Sequence, residues 1–205
     1  MKASLQDWIH FRNPQYRYTG WKIHVSTNRR EAQEALAALA VTFGIAVFKF
    51  AHDLPTLQKG AQAGKTAVFY HTEKTIEDAP IDWAAFIAEA ERIVLSKGGP
   101  GAAVQRDRRV PGTCSVFYRN DQDRDGGYVK RYGITSFAKA NGIPEERIFN
   151  LGGHPDPFAH VEIKNGTPFI DGKKHDYVIP SAPLDARVNL SFAERIQNWR
   201  SHFHR

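Results

Sequence analysis

The stretch Trp21-Lys22-Ile23-His24-Val25-Ser26, entered through Gly20, constrains the fold more than any other. Trp21, Ile23 and Val25 alternate with Lys22, His24 and Ser26, which is the period of a β-strand with one face on a core. An amine and an imidazole then project together from the other face. Such a face is most often simply wet; the alternative is an acid/base pair mounted on a rigid element. The strand leads straight into a helix, because Thr27 or Asn28 can cap it and Glu31 stands at the capping-box distance from Asn28. Ala35, Leu36, Leu39 and Phe43 form its apolar face, and Gly44 stops it.

A second strand is predicted over 45–50, with Lys49 among Val47, Phe48 and Phe50. That lysine is either a snorkelling surface residue or a desolvated cation reserved for a phosphate. Residues 59–65 read Lys-Gly-Ala-Gln-Ala-Gly-Lys, a Gly-rich turn. No Ser- or Thr-bearing helix follows in register, and Thr66 opens a strand over 66–71, so a nucleotide-binding loop is excluded. Asp82 caps a helix with Trp83, Phe86, Ile87, Ala90, Ile93 and Val94 on one face, ended by Lys97-Gly98-Gly99-Pro100. A loop with Arg106, Asp107, Arg108 and Arg109 precedes a strand over 115–119, a turn over 120–127, a strand over 127–132 and a short helix near 136–140.

Asp156-Pro157 lies in a loop, and Asn165-Gly166 turns a hairpin between 160–164 and 167–170. Residues 179–183 read as a linker, and Ser191-Phe192-Ala193-Glu194 as a capping box opening a terminal helix. Residues 1–20 form an arm of turns, interrupted at Asn13-Pro14, whose Trp8, Phe11, Tyr16 and Tyr18 pack against the sheet. The sum is α+β: a mainly antiparallel sheet with flanking helices in a single domain over 1–205.

A chain of 205 residues, 41% of them hydrophobic, can bury one substantial core. Its net charge of +6 points to an anionic partner: nucleic acid, a membrane surface, or phosphate carried on a peptide. The lone Cys114 precludes an intramolecular disulfide, suits a reducing cytosol and reads as a small, partly buried hydrophobe. Gln6, Asp7 and His10 interrupt any signal-peptide core, and the most apolar run, 35–48, is too short to span a bilayer, so the expectation is a soluble cytoplasmic protein. Nine histidines include no His-Glu-x-x-His and no pair on one helical face, and no serine sits in a nucleophile elbow. Neither a metal nor a cofactor is expected.

What remains is a set of cations spread over several strands: Lys22, Lys49, Lys59 or Lys65, Arg119 and Arg124, together with His24. Converging, they would bind a dianion such as a phosphate monoester through charge-assisted hydrogen bonds. Crowding of like charges disfavours an ammonium, so one of the lysines, Lys22, could act as a base.

These residues resemble the phosphothreonine lyases of bacterial type III effectors and the lyase domains of class III and IV lanthipeptide synthetases. Both carry Lys-x-His on a strand, here Lys22-Ile23-His24, followed after a helix by a lysine-bearing strand, here Phe48-Lys49-Phe50. The effectors add Tyr-Arg-Asn and then Arg-Asp-Gly-Gly, here Tyr118-Arg119-Asn120 and Arg124-Asp125-Gly126-Gly127. The strand beginning Gly20-Trp21 and the Gly64-Lys65 before a strand ending in Tyr70 are closer to the synthetases. Two departures stand out. Lys59 or Lys65 replaces the effectors' arginine before the Tyr70 strand, and Arg119 is separated from Arg131-Tyr132-Gly133, which the synthetases join.

The resemblance implies β-elimination of phosphate from phosphothreonine or phosphoserine, giving dehydrobutyrine or dehydroalanine. Lys22 would remove the α-proton, His24 would protonate the leaving oxygen, Asp107 would orient His24, and Tyr70 would complete the catalytic set. Lys49, Lys59 or Lys65, Arg119 and Arg124 would hold the phosphate. No metal or cofactor is required, and the partner is a phosphorylated peptide or protein made by a separate kinase, with no nucleic acid and no membrane. The short stretch before the Lys22 strand leaves no room for a docking tail, which favours a flexible phosphopeptide such as a lanthipeptide precursor. The alternative is an effector secreted into a host cytosol to inactivate a phosphorylated kinase. A reading from another class is a basic nucleic-acid-binding module using Arg12, Tyr16, Arg17, Tyr18, Arg119 and Arg131.

Overall fold

The computed structural model describes residues 8–12, 18–51, 54, 63–75, 79–130 and 133–180. The expected terminal helix, the last residues of the expected linker and most of the N-terminal arm lie outside these. Within them the chain is α+β, with a six-stranded antiparallel sheet ordered β1-β3-β4-β2-β6-β5 and a three-stranded sheet β7-β8-β9. The strands of the large sheet are β1 (Trp8–Arg12), β2 (Trp21–Val25), β3 (Val47–Ala51), β4 (Ala67–Tyr70), β5 (Arg108–Arg109) and β6 (Val116–Asn120). Helices α1 (Arg30–Thr42), α2 (Trp83–Ser96) and α3 (Ile134–Ala140) join them, and β7 (Val161–Lys164), β8 (Thr167–Ile170) and β9 (Lys173–Lys174) form the small sheet.

The core lies between one face of the large sheet and the α1/α2 layer. Trp21, Ile23 and Val25 of β2, Phe48 and Phe50 of β3, Phe69 of β4 and Tyr118 of β6 meet Leu36, Ala40, Phe86, Ile87 and Ala90 of the helices. Ring edges lock this layer, with Phe69 and Phe86 centroids 4.9 Å apart. Full burial of each such side chain stabilises by about 1.5–3 kcal/mol. That is what holds the opposite face of the sheet in register.

Local signals account for most of these elements. Gly20 turns into β2 at φ 90°, a conformation that favours glycine. Helix α2 is capped as expected, Asp82 Oδ1 accepting from the Ala85 N–H at 3.0 Å. Asn165 and Gly166 take φ 50° and 76° and turn the β7–β8 hairpin. Helix α1 starts later than its capping signal: Arg29 is the N-cap without a side-chain bond, and Thr27 Oγ1 accepts from the Arg29 N–H instead.

Other expectations are corrected. The arm contains a strand, β1, paired antiparallel with β3. No strand spans 127–130: Tyr128 makes only a bridge to Gln122, because Asp123 closes the preceding turn by accepting from the Asp125 and Gly127 N–H groups. Cys114 is exposed, on a turn whose backbone is held from the other side.

The holding group is Glu91 of α2, 4% exposed, whose carboxylate accepts from the Cys114 and Ser115 N–H groups at 2.6 and 3.0 Å and from the Ser115 hydroxyl. It fastens the start of β6 to the helix layer. Glu91→Ala orphans two buried donors and is expected to lower unfolding free energy by roughly 2–5 kcal/mol. Urea denaturation measures this, and a loss below about 1 kcal/mol would mean that water replaces the carboxylate.

Candidate active site

The face of the sheet turned away from the helices carries the polar residues, and it is not wet. Lys22 is 8% exposed, His24 4% and Arg119 2%. Antiparallel register sets them in two adjacent rows. Arg119, Lys22 and Tyr70 lie directly across β6, β2 and β4, and Phe117, His24, Val68 and Lys49 form the next row across β6, β2, β4 and β3. Side chains so aligned are close neighbours, so the pairing that builds the sheet also builds the site.

Two buried carboxylates enter from loops and divide the cations. Asp107 contacts His24 Nδ1, and its Oδ1 lies 3.4 Å from Lys65 Nζ and 3.5 Å from Arg119 Nη1. Asp121 contacts both Lys22 Nζ and Arg119 Nε. Arg119 Nη2 is buried and makes no hydrogen bond among the described residues. A buried guanidinium nitrogen without a partner is a costly arrangement unless a ligand oxygen completes it.

Electrostatics fix the protonation states of the cluster. Burial, reinforced by the charge on Lys65, lowers His24 to about 3 against the opposing pull of Asp107, so the imidazole is neutral. Burial pushes Asp107 up, but His24, Lys65 and Arg119 together outweigh it and hold the carboxyl below the usual range. For Asp121, likewise, Lys22 and Arg119 overcome burial and lower it. Both acids are therefore carboxylates.

Together with Trp8, Val68 and Tyr128, these side chains line a cavity of about 90 Å³. Aromatic rings border it: Lys22 Nζ lies 4.9 Å from the Tyr128 centroid and 5.5 Å from that of Tyr70, and Lys49 Nζ 4.2 Å from that of Trp8. A second, larger cleft of about 690 Å³ borders the 106–108 loop and mixes Arg106, Arg108 and Arg147 with Glu145, Glu146 and Asp156.

Of the residues singled out from sequence, Lys22, His24, Lys49, Lys65, Tyr70 and Arg119 line the cavity, and Asp107 backs it through His24. Lys59 lies outside the described residues. Arg124 is exposed on the turn that Asp123 closes and does not line the cavity. Asp121, Tyr128 and Trp8 were missed. For Asp121 a signal existed: it stands two residues after Arg119, the spacing of side chains on one strand face. Among the described residues no group of three or more His, Cys, Asp or Glu is placed to hold a metal, and no helix is long and apolar enough to cross a membrane.

No family model and no curated protein matches the chain. Solved structures do. The type III effector and phosphothreonine lyase OspF from Shigella flexneri is 23% identical, with 59% of this chain and 68% of that one covered at a TM-score of 0.44. A phosphothreonine lyase studied for its enzymatic mechanism is 18% identical over 72% and 74%, at 0.45. The Chromobacterium violaceum VirA (SpvC) phosphothreonine lyase effector is 20% identical over 73% and 75%, at 0.44. The chain is similar to phosphothreonine lyases. Two of these three are named as effectors, and the expected tie to lanthipeptide maturation has no counterpart among them.

Proposed function

We propose that this protein is a phosphothreonine/phosphoserine lyase that eliminates phosphate from a phosphorylated polypeptide. The observation that carries the reading is the charge of the cavity. Lys22, Lys49, Lys65 and Arg119 against Asp107 and Asp121 leave a formal +2 beside a neutral imidazole, which matches a phosphate monoester dianion. About 90 Å³ accepts a phosphoryl group and its ester carbon, and is far below the pockets of about 300–1,000 Å³ that take larger ligands.

In this mechanism Lys22 takes the α-proton while the Cβ–O bond breaks and the Cα=Cβ bond forms. Arg119, Lys49 and Lys65 stabilise the charge that moves onto phosphate. Asp107 is an acceptor, so His24 presents Nδ1–H to it and leaves Nε2 toward the substrate. An entering dianion offsets Lys65 and Arg119, which add to burial in keeping His24 neutral, so one proton passes from the Lys22 ammonium to His24: Lys22 is then the free amine that takes the α-proton, and the imidazolium gives its proton to the leaving oxygen. The products are an alkene-containing residue and hydrogen phosphate, with every proton accounted for.

A basic nucleic-acid module is less well supported, because Lys22, Lys65 and Arg119 are buried in a small cavity rather than displayed on a surface. The mixed-charge cleft beside the 106–108 loop suits polypeptide flanking the phosphoresidue. Mass spectrometry of a phosphothreonine peptide after incubation tests the reaction: loss of phosphoric acid is expected, and loss of only the phosphoryl group would make the protein a phosphatase. Competition between an unstructured phosphopeptide and a folded phosphorylated kinase then decides the substrate. A preference above ~100-fold for the kinase, roughly 2.7 kcal/mol of transition-state binding, would favour an effector over a peptide-maturation enzyme.

A further inference from the structure

A cavity of about 90 Å³ has room for a phosphoryl group and its ester carbon but not for the residues around them. The main chain and the side chains on either side of a phosphoresidue must therefore lie across its mouth, where they meet whatever is exposed there. Those groups are aromatic. Trp8, Tyr70 and Tyr128 line the cavity, and Tyr18 packs edge-on against Tyr70 with centroids 5.1 Å apart. Among the described residues five large hydrophobic side chains are exposed, and two of the five are Tyr128, at 58%, and Tyr18, at 36%. Exposed apolar side chains scattered singly are ordinary; two such rings beside one small polar cavity are not scattered.

The rings are also held in place. Tyr128 stands where the 121–129 segment folds back on itself: it bridges to Gln122, and the Val129 N–H donates to the Asp121 carbonyl at 2.8 Å. Its ring lies on the Lys22 ammonium, as the Tyr70 ring does, and the Trp8 ring lies on that of Lys49. Tyr18 is fixed through the next residue, since the Thr19 N–H donates to the His71 carbonyl at 3.0 Å. A wall already ordered loses little conformational entropy when a ligand meets it.

We propose that Tyr128 and Tyr18 belong to a substrate-binding wall that takes an apolar side chain adjacent to the phosphoresidue of a polypeptide. The proposal rests on the lyase reading above. The cations lie beneath the rings, so the floor of the site selects phosphate and the wall selects the neighbouring residue. An acidic neighbour would be drawn by the same cations, but it would have to give up water against ring surface that offers no hydrogen bond in return. That difference makes the two kinds of neighbour separable by experiment.

The test is kcat/KM for elimination from phosphothreonine peptides that carry Leu, Gly or Glu on both sides of the phosphoresidue, with wild type, Y128A, Y128F and Y18A. Wild type is expected to favour the Leu peptide over the Gly peptide by about 10-fold, the lower end of what an apolar contact discriminates. Y128A is expected to bring that ratio to within about 2-fold, as loss of an aromatic anchor does, and Y18A to reduce it in part. Y128F is expected to keep it, because the ring and not the hydroxyl makes the contact. The ratio is taken within each variant, so a general loss of stability or turnover cancels from it, and the Y18A arm stands if Y128A does not fold. A wild type that ranks Glu above Leu, or a Leu-to-Gly ratio unchanged in both Y128A and Y18A, overturns the assignment. A wild type that eliminates phosphate from none of the peptides overturns the lyase reading and this inference with it, whereas elimination from the Leu and Gly peptides at equal rates overturns this inference alone.

Discussion

Lys22→Ala is expected to abolish elimination while phosphopeptide still binds. The amine is assigned to the proton transfer, and general-base contributions are typically ~10²–10⁴-fold in rate. The remaining cations, Lys49, Lys65 and Arg119, still line the cavity and still outweigh the two carboxylates in number, so the ground-state complex survives. Because kcat and kcat/KM should fall together, the signature is that of a contact made only in the transition state. Lys49→Ala is the necessary partner experiment. Lys49 lies in the other row of the site, across β4 from His24, against the Trp8 ring. Its loss is expected to raise KM with a smaller effect on kcat. The reverse result, turnover lost with Lys49 and only affinity lost with Lys22, would transfer the role of base to Lys49.

The parts of the fold that could be read from sequence are those with a local cause. Asn165-Gly166 dictates its hairpin, Asp82 dictates the start of α2, and the alternation of residues 21–26 dictates β2. Strands β5 and β9 have only two residues each and carry no period to detect. Strand β1 was hidden in an arm whose Asn13-Pro14 suggested turns, and it exists because β3 offers an edge to pair with. In the site, alternation placed Lys22 and His24 on one face but suggested that the face is wet. Burial of that face comes from loops carrying Lys65, Asp107, Asp121 and Tyr128, which no strand period announces. Arg124 is the opposite case: the Arg-Asp-Gly-Gly motif implied a phosphate contact, whereas the side chain is exposed on its turn and does not line the cavity.

Arg119→Ala is the second large effect expected, and it differs in kind from Lys22→Ala. Arg119 reaches Asp107 through Nη1 and Asp121 through Nε, and retains a buried Nη2 with no hydrogen bond among the described residues. One planar group thus joins the carboxylate on His24 to the carboxylate on Lys22 and, in the proposed mechanism, offers a donor to the phosphate. Removing it deletes a charge-assisted contact of roughly 1.5–3 kcal/mol in ground and transition states alike, so KM should rise by about 10- to 100-fold. Turnover should fall as well, because Asp107 and Asp121 lose a shared partner and His24 and Lys22 lose the charge balance that sets their positions. Arg119→Lys is not expected to rescue either parameter, since one ammonium cannot span two carboxylates and still present a third donor. Arg124→Ala provides the control, with kinetics within about 2-fold of wild type expected for an exposed residue away from the cavity. Steady-state kinetics on a phosphothreonine peptide separate the outcomes. An Arg119→Ala variant with unchanged KM would mean that Nη2 does not meet the phosphate, and an Arg119→Lys variant with full activity would mean that charge alone, rather than the guanidinium fork, is what the site requires.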